Sequence, residues 1–268
     1  MNTTFENRLQ SQVLLEQMVG ADSPEKLKDK KQEIEALVVS SRHLEALSQA
    51  KENDLSSFFL KGLLSLMEAI SGVSDQRYSW SLIKSYYSTY YFIRSIMLSE
   101  GYVLVKNGSG KIYYLPLESG SKIKSLNYQK RGEHQKVLKN FEYLFKDKIP
   151  LLSNSIDDDA PPSWLRDQRE HIQYRQAVFK DPVNDLFFNG QPPSDLIFWI
   201  RRYSEDMTPV YCFDRGHAAL AIPIECLKFL KSSASSNQLN PFIGSPKARD
   251  LKGLFPERTR EAIQLVLR

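Results

Sequence analysis

Two cysteines in 268 residues, Cys212 and Cys226, leave no material for a disulfide framework or a CxxC metal knuckle. They are expected as reduced thiols of a cytoplasmic protein, and neither a metal site nor a cofactor is expected. The opening MNTTFENRLQ is polar, which argues against a signal peptide. No apolar run approaches the roughly 20 residues that a bilayer-spanning helix requires, so no membrane contact is expected. Histidine is scarce, at four copies, and no GxSxG or HExxH signature accompanies any of them. The GSGK at 108–111 lacks both the GxxxxGK[ST] spacing and a following helix, which excludes a P-loop.

Apolar content of 41% and charged content of 25% are those of an ordinary globular chain, long enough for one large domain or two modest ones. Net charge is only +4, but it is uneven. Between Ser121 and Lys148 eight Lys/Arg face three acids, so that segment carries +5 and the remainder −1. A patch of this kind suits a phosphate backbone, whose counterions each Lys or Arg contact releases. It is equally the composition of a solvated helix face.

Residues 5–70 carry little Gly or Pro, and Leu27, Ile34, Leu37 and Val38 recur at helical spacing. The run 55–70 is apolar enough to be buried. Asp75 is expected to cap the next helix, QRYSWSLIKSYYSTYYFIRSIMLSEGY, which Gly101 ends. Within it Ser81, Ser85, Ser88, Ser95 and Ser99 form a small-residue stripe that lets a neighbouring helix approach. Ile83, Tyr86, Tyr87, Tyr90, Tyr91 and Phe92 fill the other faces of this central helix. Residues 102–117 change to a period of two around Asn107-Gly108-Ser109-Gly110, a hairpin signal. Helices are then expected over 132–150, from the acidic SIDDDAPPS loop onward through 163–176, and over 194–206, 214–232 and 246–268. Pro182, Pro192, Pro193 and Pro209 mark the joints. No internal repeat is evident.

The stretch SWLRDQREHIQYRQ, residues 163–176, concentrates the chemistry. On a straight helical wheel Leu165, Arg169, Ile172 and Gln176 share a core stripe that Phe179 extends. Asp167, His171 and Tyr174 form a second, polar stripe. Arg166 lies roughly 140° from His171, off the core stripe, and reaches it by length alone. Imidazole is a general acid–base near neutral pH, and a guanidinium fork neutralises a phosphorane. On RNA the ribose 2′-hydroxyl is itself the nucleophile, so the chemistry asks for no metal. The same residues also make an ordinary surface helix. His134 is a helix-start residue within the basic segment, while His43 and His217 have no catalytic spacing.

SYYSTYYFIRSIMLSEG resembles the second long helix of the HEPN superfamily, with paired aromatics and small residues before an Arg and a closing glycine. GEHQKVLKNFEYLF is similar to the helix that follows there, and LRDQREHIQYR stands in the place of the last motif-bearing helix. The resemblance covers about residues 56–180. It implies a metal-independent endoribonuclease in which an Arg, a polar residue and a His four to six positions beyond the Arg act from two protomers. Arg166, Asp167 and His171 satisfy that spacing, with Tyr174 a departure because it stands three residues after the His. A competing register uses Arg169, Gln173 and Tyr174. It matches inactive relatives and makes Arg169 a structural arginine paired to a buried acid.

The expected architecture is mainly α: a HEPN-like antiparallel bundle with an inserted β-hairpin and a helical C-terminal extension. Its segments are an N-terminal helical segment 1–55, the bundle 56–180 and the extension 181–268. The functional expectation is a HEPN ribonuclease of a toxin–antitoxin, anti-phage or stress setting. Arg166, His171, Asp167 and Tyr174 would act at the phosphate, and Lys130, Arg131, His134, Lys136 and Arg169 would bind RNA. A homodimer and an antitoxin or defence partner go with that expectation. The alternative is a non-catalytic scaffold that dimerises and docks a protein or nucleic acid.

Overall fold

The computed structural model describes residues 8–21, 23–107, 110–125, 132–177, 181, 187–188, 193–233, 239 and 242–268. It is mainly helical, at 70% helix, with one small antiparallel two-stranded sheet. Two compact units are formed by discontinuous stretches: Met1–Ser57 with Met97–Phe141, and Phe58–Ile96 with Glu142–Arg268.

In the first unit, α1 (Gln10–Met18) starts where both carboxylate oxygens of Asp54 accept backbone N–H bonds, from Gln10 at 2.8 Å and Ser11 at 3.0 Å. A buried carboxylate from a distant helix thus satisfies the donors that a helix start leaves open. The region expected as helices also holds non-helical pieces. A 3₁₀ turn (Pro24–Lys30) precedes α2 (Lys31–Ala36), and Val38 leaves the helical pattern to bridge Lys122. Long α3 (Ser41–Ser74) opens with a reciprocal cap in which the Ser40 Oγ accepts from the His43 N–H and His43 Nδ1 from the Ser40 N–H, both at 3.3 Å. Contrary to the sequence expectation, α3 holds an 18-residue stretch long and apolar enough to cross a membrane; most of it is buried, the pattern of a core helix.

β1 (Tyr102–Lys106) pairs with β2 (Ile112–Pro116) in the expected hairpin, Lys106 opposite Ile112 and Tyr102 opposite Pro116. Asn107 N–H closes the loop onto the Lys111 carbonyl at 3.3 Å. Val103, Val105, Tyr113 and Leu115 of the hairpin are buried. The amphipathic α5 (Glu133–Phe145) buries Val137, Leu138, Phe141 and Phe145, the apolar face expected of it.

The second unit contains the packing of α3 against α4 (Tyr78–Ser99). The serine stripe serves as expected: Ser81, Ser85, Ser88 and Ser95 are fully buried, and the Ser88 hydroxyl donates to the Gly62 carbonyl at 3.0 Å. Gly62 is required by that approach, since a Cβ there would meet the Phe92 ring at 2.6 Å. The start of α4 corrects the sequence reading. Asp75 does not cap it; the Ser79 N–H and hydroxyl instead donate to Asp181, each at 3.0 Å. α6 (Pro161–Glu170) begins on Pro161 at its first position, after Asp157 and Asp158 take positive φ of 53° and 67°. Asp157 accepts from Trp164 Nε1 at 3.0 Å and pairs with Arg215, which holds its carboxyl below the usual range.

α6 packs on α8 (Ala218–Ser232), whose first ten residues are all buried, as a helix apolar on every side must be. α7 (Leu196–Glu205) and the last helix pack together and on α8. The expected helix 246–268 is two, α9 (Pro246–Gly253) and α10 (Glu257–Leu267), broken at Pro256.

Candidate functional site

The residues singled out on 163–176 lie in the second unit, and the helix carrying them is not straight. α6 ends at Glu170, and His171–Arg175 form a single π turn closed by the Gln176 N–H on the His171 carbonyl at 2.9 Å. A π turn inserts extra residues per revolution, so a straight-helix wheel loses phase beyond His171. Ile172 and Gln176, expected on the core stripe, are only half-buried, and Phe179 lies outside the described residues.

Arg166 corrects the sequence reading most. Expected off the core, it is 8% exposed. Its Nε donates to Asp167 Oδ1 at 2.9 Å, its Nη2 bonds the same oxygen, and Glu170 stands 3.8 Å from Nε. Both carboxylates are half-exposed, so the guanidinium bridges the interior and a rim of negative charge.

Arg169 departs in a different way. No acid pairs with it among the described residues; three tyrosines hold it. Its Nη2 donates to the Tyr87 hydroxyl at 3.0 Å, and its Cζ lies 5.2, 5.5 and 5.7 Å from the ring centroids of Tyr86, Tyr87 and Tyr174. These are cation–π distances. The Nε is buried with no hydrogen-bond partner among the described residues. Tyr86, buried in the same cluster, has its phenol pushed far above the ordinary value by desolvation, so it is a neutral donor at any working pH.

His171 is exposed, and its imidazole makes no hydrogen bond or ion pair among the described residues. Tyr174 is 70% exposed although Arg169 stands beside its ring. The structure therefore gathers Arg166, Asp167, Arg169, His171 and Tyr174 on one short segment. To them it adds Glu170, Tyr86 and Tyr87, which the sequence reading left out of the site. The aromatic run 86–91 was the available signal, but it reads first as core.

The proposed RNA-binding residues divide. His134 and Lys136 stand half-buried on the part of α5 that belongs to the first unit, where Lys136 Nζ donates to the Gly110 carbonyl at 2.6 Å. Lys130 and Arg131 lie outside the described residues. His217 is buried, shares a 2.9 Å hydrogen bond with the Tyr203 hydroxyl and sits 4.4 Å from the Trp199 ring. It is a packed histidine, and desolvation lowers its pKa. Cys212 and Cys226 are buried, reduced, and pushed upward by burial, which leaves them poor nucleophiles.

No family model matches the chain, and no curated protein or solved structure matches it at a significant level.

Proposed function

We propose that the chain is a HEPN-type, metal-independent endoribonuclease acting on RNA in the cytoplasm, in a toxin–antitoxin, anti-phage or stress setting. The observation that carries this reading is His171: an exposed imidazole with no hydrogen-bond or ion-pair partner among the described residues, five residues beyond an arginine, where α6 loosens into a π turn. Single π turns concentrate at functional sites. What supports the HEPN-like bundle is the mainly helical chain, a long aromatic helix with a buried serine stripe, and the motif helix after it in chain order.

In the reaction, His171 accepts the proton of the ribose 2′-hydroxyl as that oxygen bonds to phosphorus. The 5′-oxygen leaves, taking a proton from the imidazolium of the second protomer's His171, and a 2′,3′-cyclic phosphate remains. Guanidinium charge at Arg166 stabilises the extra negative charge of the phosphorane. For that, the rim carboxylates of Asp167 and Glu170 exchange with phosphate oxygens as acceptors. The carboxylates, unlike the buried guanidinium, are half-exposed, so a phosphate oxygen arriving from solvent can take their place.

A second reading has its own observation. Arg166 is buried and already paired with Asp167, as a structural arginine of a non-catalytic dimerising scaffold is. One experiment separates the two. Purified protein is incubated with labelled RNA in EDTA, beside His171→Ala. Cleavage to cyclic-phosphate ends by the wild type alone is expected. Cleavage that needs a divalent metal, or that survives in His171→Ala, would sink the nuclease mechanism.

A further inference from the structure

From Ser81 to Ser99 every residue of α4 is buried except Lys84, Tyr87 and Tyr91, and Trp80 just before them is 59% exposed. The spacing of these four, at intervals of four, three and four, sets them on one stripe. Trp80 and Tyr87 lie about 10 Å apart along the axis, and Tyr87 and Tyr91 about 6 Å. A helix normally turns charged and polar residues to water. This one turns three aromatics and a lysine.

Cations stand beside the rings. Lys61 Nζ lies 5.9 Å from the Tyr91 ring centroid, and Arg169 Cζ lies 5.5 Å from that of Tyr87. Trp80 forms a wall of a recess of about 360 Å³ shared with Arg77, Lys84, Glu68, Gly72 and Phe255. Lys84 pairs with Glu68 and Arg77 with Asp75, each at 2.6 Å, and all four side chains are about a third exposed or more. Such solvated pairs hold their cations loosely, so a phosphate can replace the carboxylate.

We propose that this stripe is a binding track for a single RNA strand, with bases stacked on the exposed rings of Trp80 and Tyr174, while Tyr91, already stacked on Phe58 and Tyr87, backs the track. Lys84, Arg77 and Lys61 take the phosphates. The track rests on the ribonuclease reading and tells it how the strand is held: Arg169 links Tyr87 to the segment that carries His171 two residues on. Aromatic rings interleaved with cations are what sequence-tolerant single-strand binding needs, because every base offers a π face. Trp and Tyr also anchor protein interfaces, so it is the row of cations beside the rings, Lys61, Arg77, Lys84 and Arg169, that favours a phosphate-bearing strand over a docked helix. Unpaired bases are required, so duplex RNA is a poor ligand.

The test uses the full chain carrying His171→Ala, so that the strand survives, and a labelled oligouridylate as the probe. Binding should quench tryptophan fluorescence, since Trp80 is exposed while Trp164 is buried and Trp199 half-buried, and the quench should vanish in Trp80→Ala. Trp80→Ala should weaken binding by roughly 5- to 100-fold, and Trp80→Phe should retain most of it. Lys84→Ala and Lys61→Ala should each weaken it and flatten its salt dependence. Trp80→Ala protein that melts like its parent and binds the oligonucleotide unchanged overturns the track. So does equally tight binding of a duplex. A change of molar mass in light scattering on Trp80→Ala, with RNA affinity intact, would assign the stripe to a second copy instead. If His171→Ala abolishes cleavage and Trp80→Ala leaves affinity alone, the nuclease stands without the track. If the wild type binds strand through Trp80 but never cleaves, the track stands without the nuclease.

Discussion

Arg166 and Arg169 stand one turn apart on α6 and are held by opposite kinds of partner, carboxylates for one and tyrosine rings for the other. That difference sorts their substitutions. His171→Ala should end cleavage while moving stability by less than about 0.5 kcal/mol, because its imidazole is exposed and makes no hydrogen bond or ion pair among the described residues. Arg166→Ala should end cleavage too, but burial adds a stability cost of about 1–3 kcal/mol from the lost charged hydrogen bonds and packed stem. Arg166→Lys keeps the charge and gives up the fork, so it separates the two effects by melting temperature and rate together. Tyr87→Phe removes the acceptor of Arg169 Nη2 and should cost about 0.5–1.5 kcal/mol. An unchanged melting temperature for Tyr87→Phe would mean that the ring faces alone hold Arg169.

At the scale of elements, two contacts decide how α4 sits in its unit. Gly62 has no room for a methyl group against Phe92, so Gly62→Ala should overpack the α3–α4 crossing and cost about 1–3 kcal/mol. Chemical denaturation reads this directly, as a lower midpoint at constant slope. The cap is the other contact. Asp181→Ala removes the acceptor of two bonds from Ser79 and should cost about 1 kcal/mol. Asp75→Ala, at the position that local pattern nominates as the cap, should be nearly neutral. Equal losses from both aspartates would show that the long-range cap does not form.

For the whole molecule, the nuclease reading requires a dimer, because one Arg/His pair makes a poor clamp on a phosphate. Light scattering at micromolar concentration should give twice the 30.9 kDa chain mass. A strict monomer would favour the scaffold. Stability should also depend on pH through His217. Burial lowers its folded pKa below the ordinary 6.5, so below that value the unfolded chain binds the proton more readily. The stabilisation is present above pH 6.5 and is lost as pH falls through the depressed folded value. Melting temperature should therefore fall on acidification across that window, and His217→Gln should flatten this part of the profile. An unchanged slope would show that His217 does not titrate differently on unfolding.

Local pattern was enough for the helical class, the hairpin at 102–116, the apolar face of α5 and the buried serine stripe of α4. Each follows from periodicity or a turn dipeptide, which act over a few residues. What needed the tertiary structure came from partners far apart in sequence. Asp54 caps α1 across 43 or 44 residues, Asp181 caps α4 across 102, and Tyr87 meets Arg169 across 82. No helical wheel encodes such pairings. The wheel also assumes a constant 3.6 residues per turn, and the π turn at His171–Arg175 breaks that assumption at the proposed catalytic histidine. So the motif residues and the exposed polar stripe of His171 and Tyr174 were legible in the sequence, while the burial of Arg166 and the tyrosine cage of Arg169 were settled by packing.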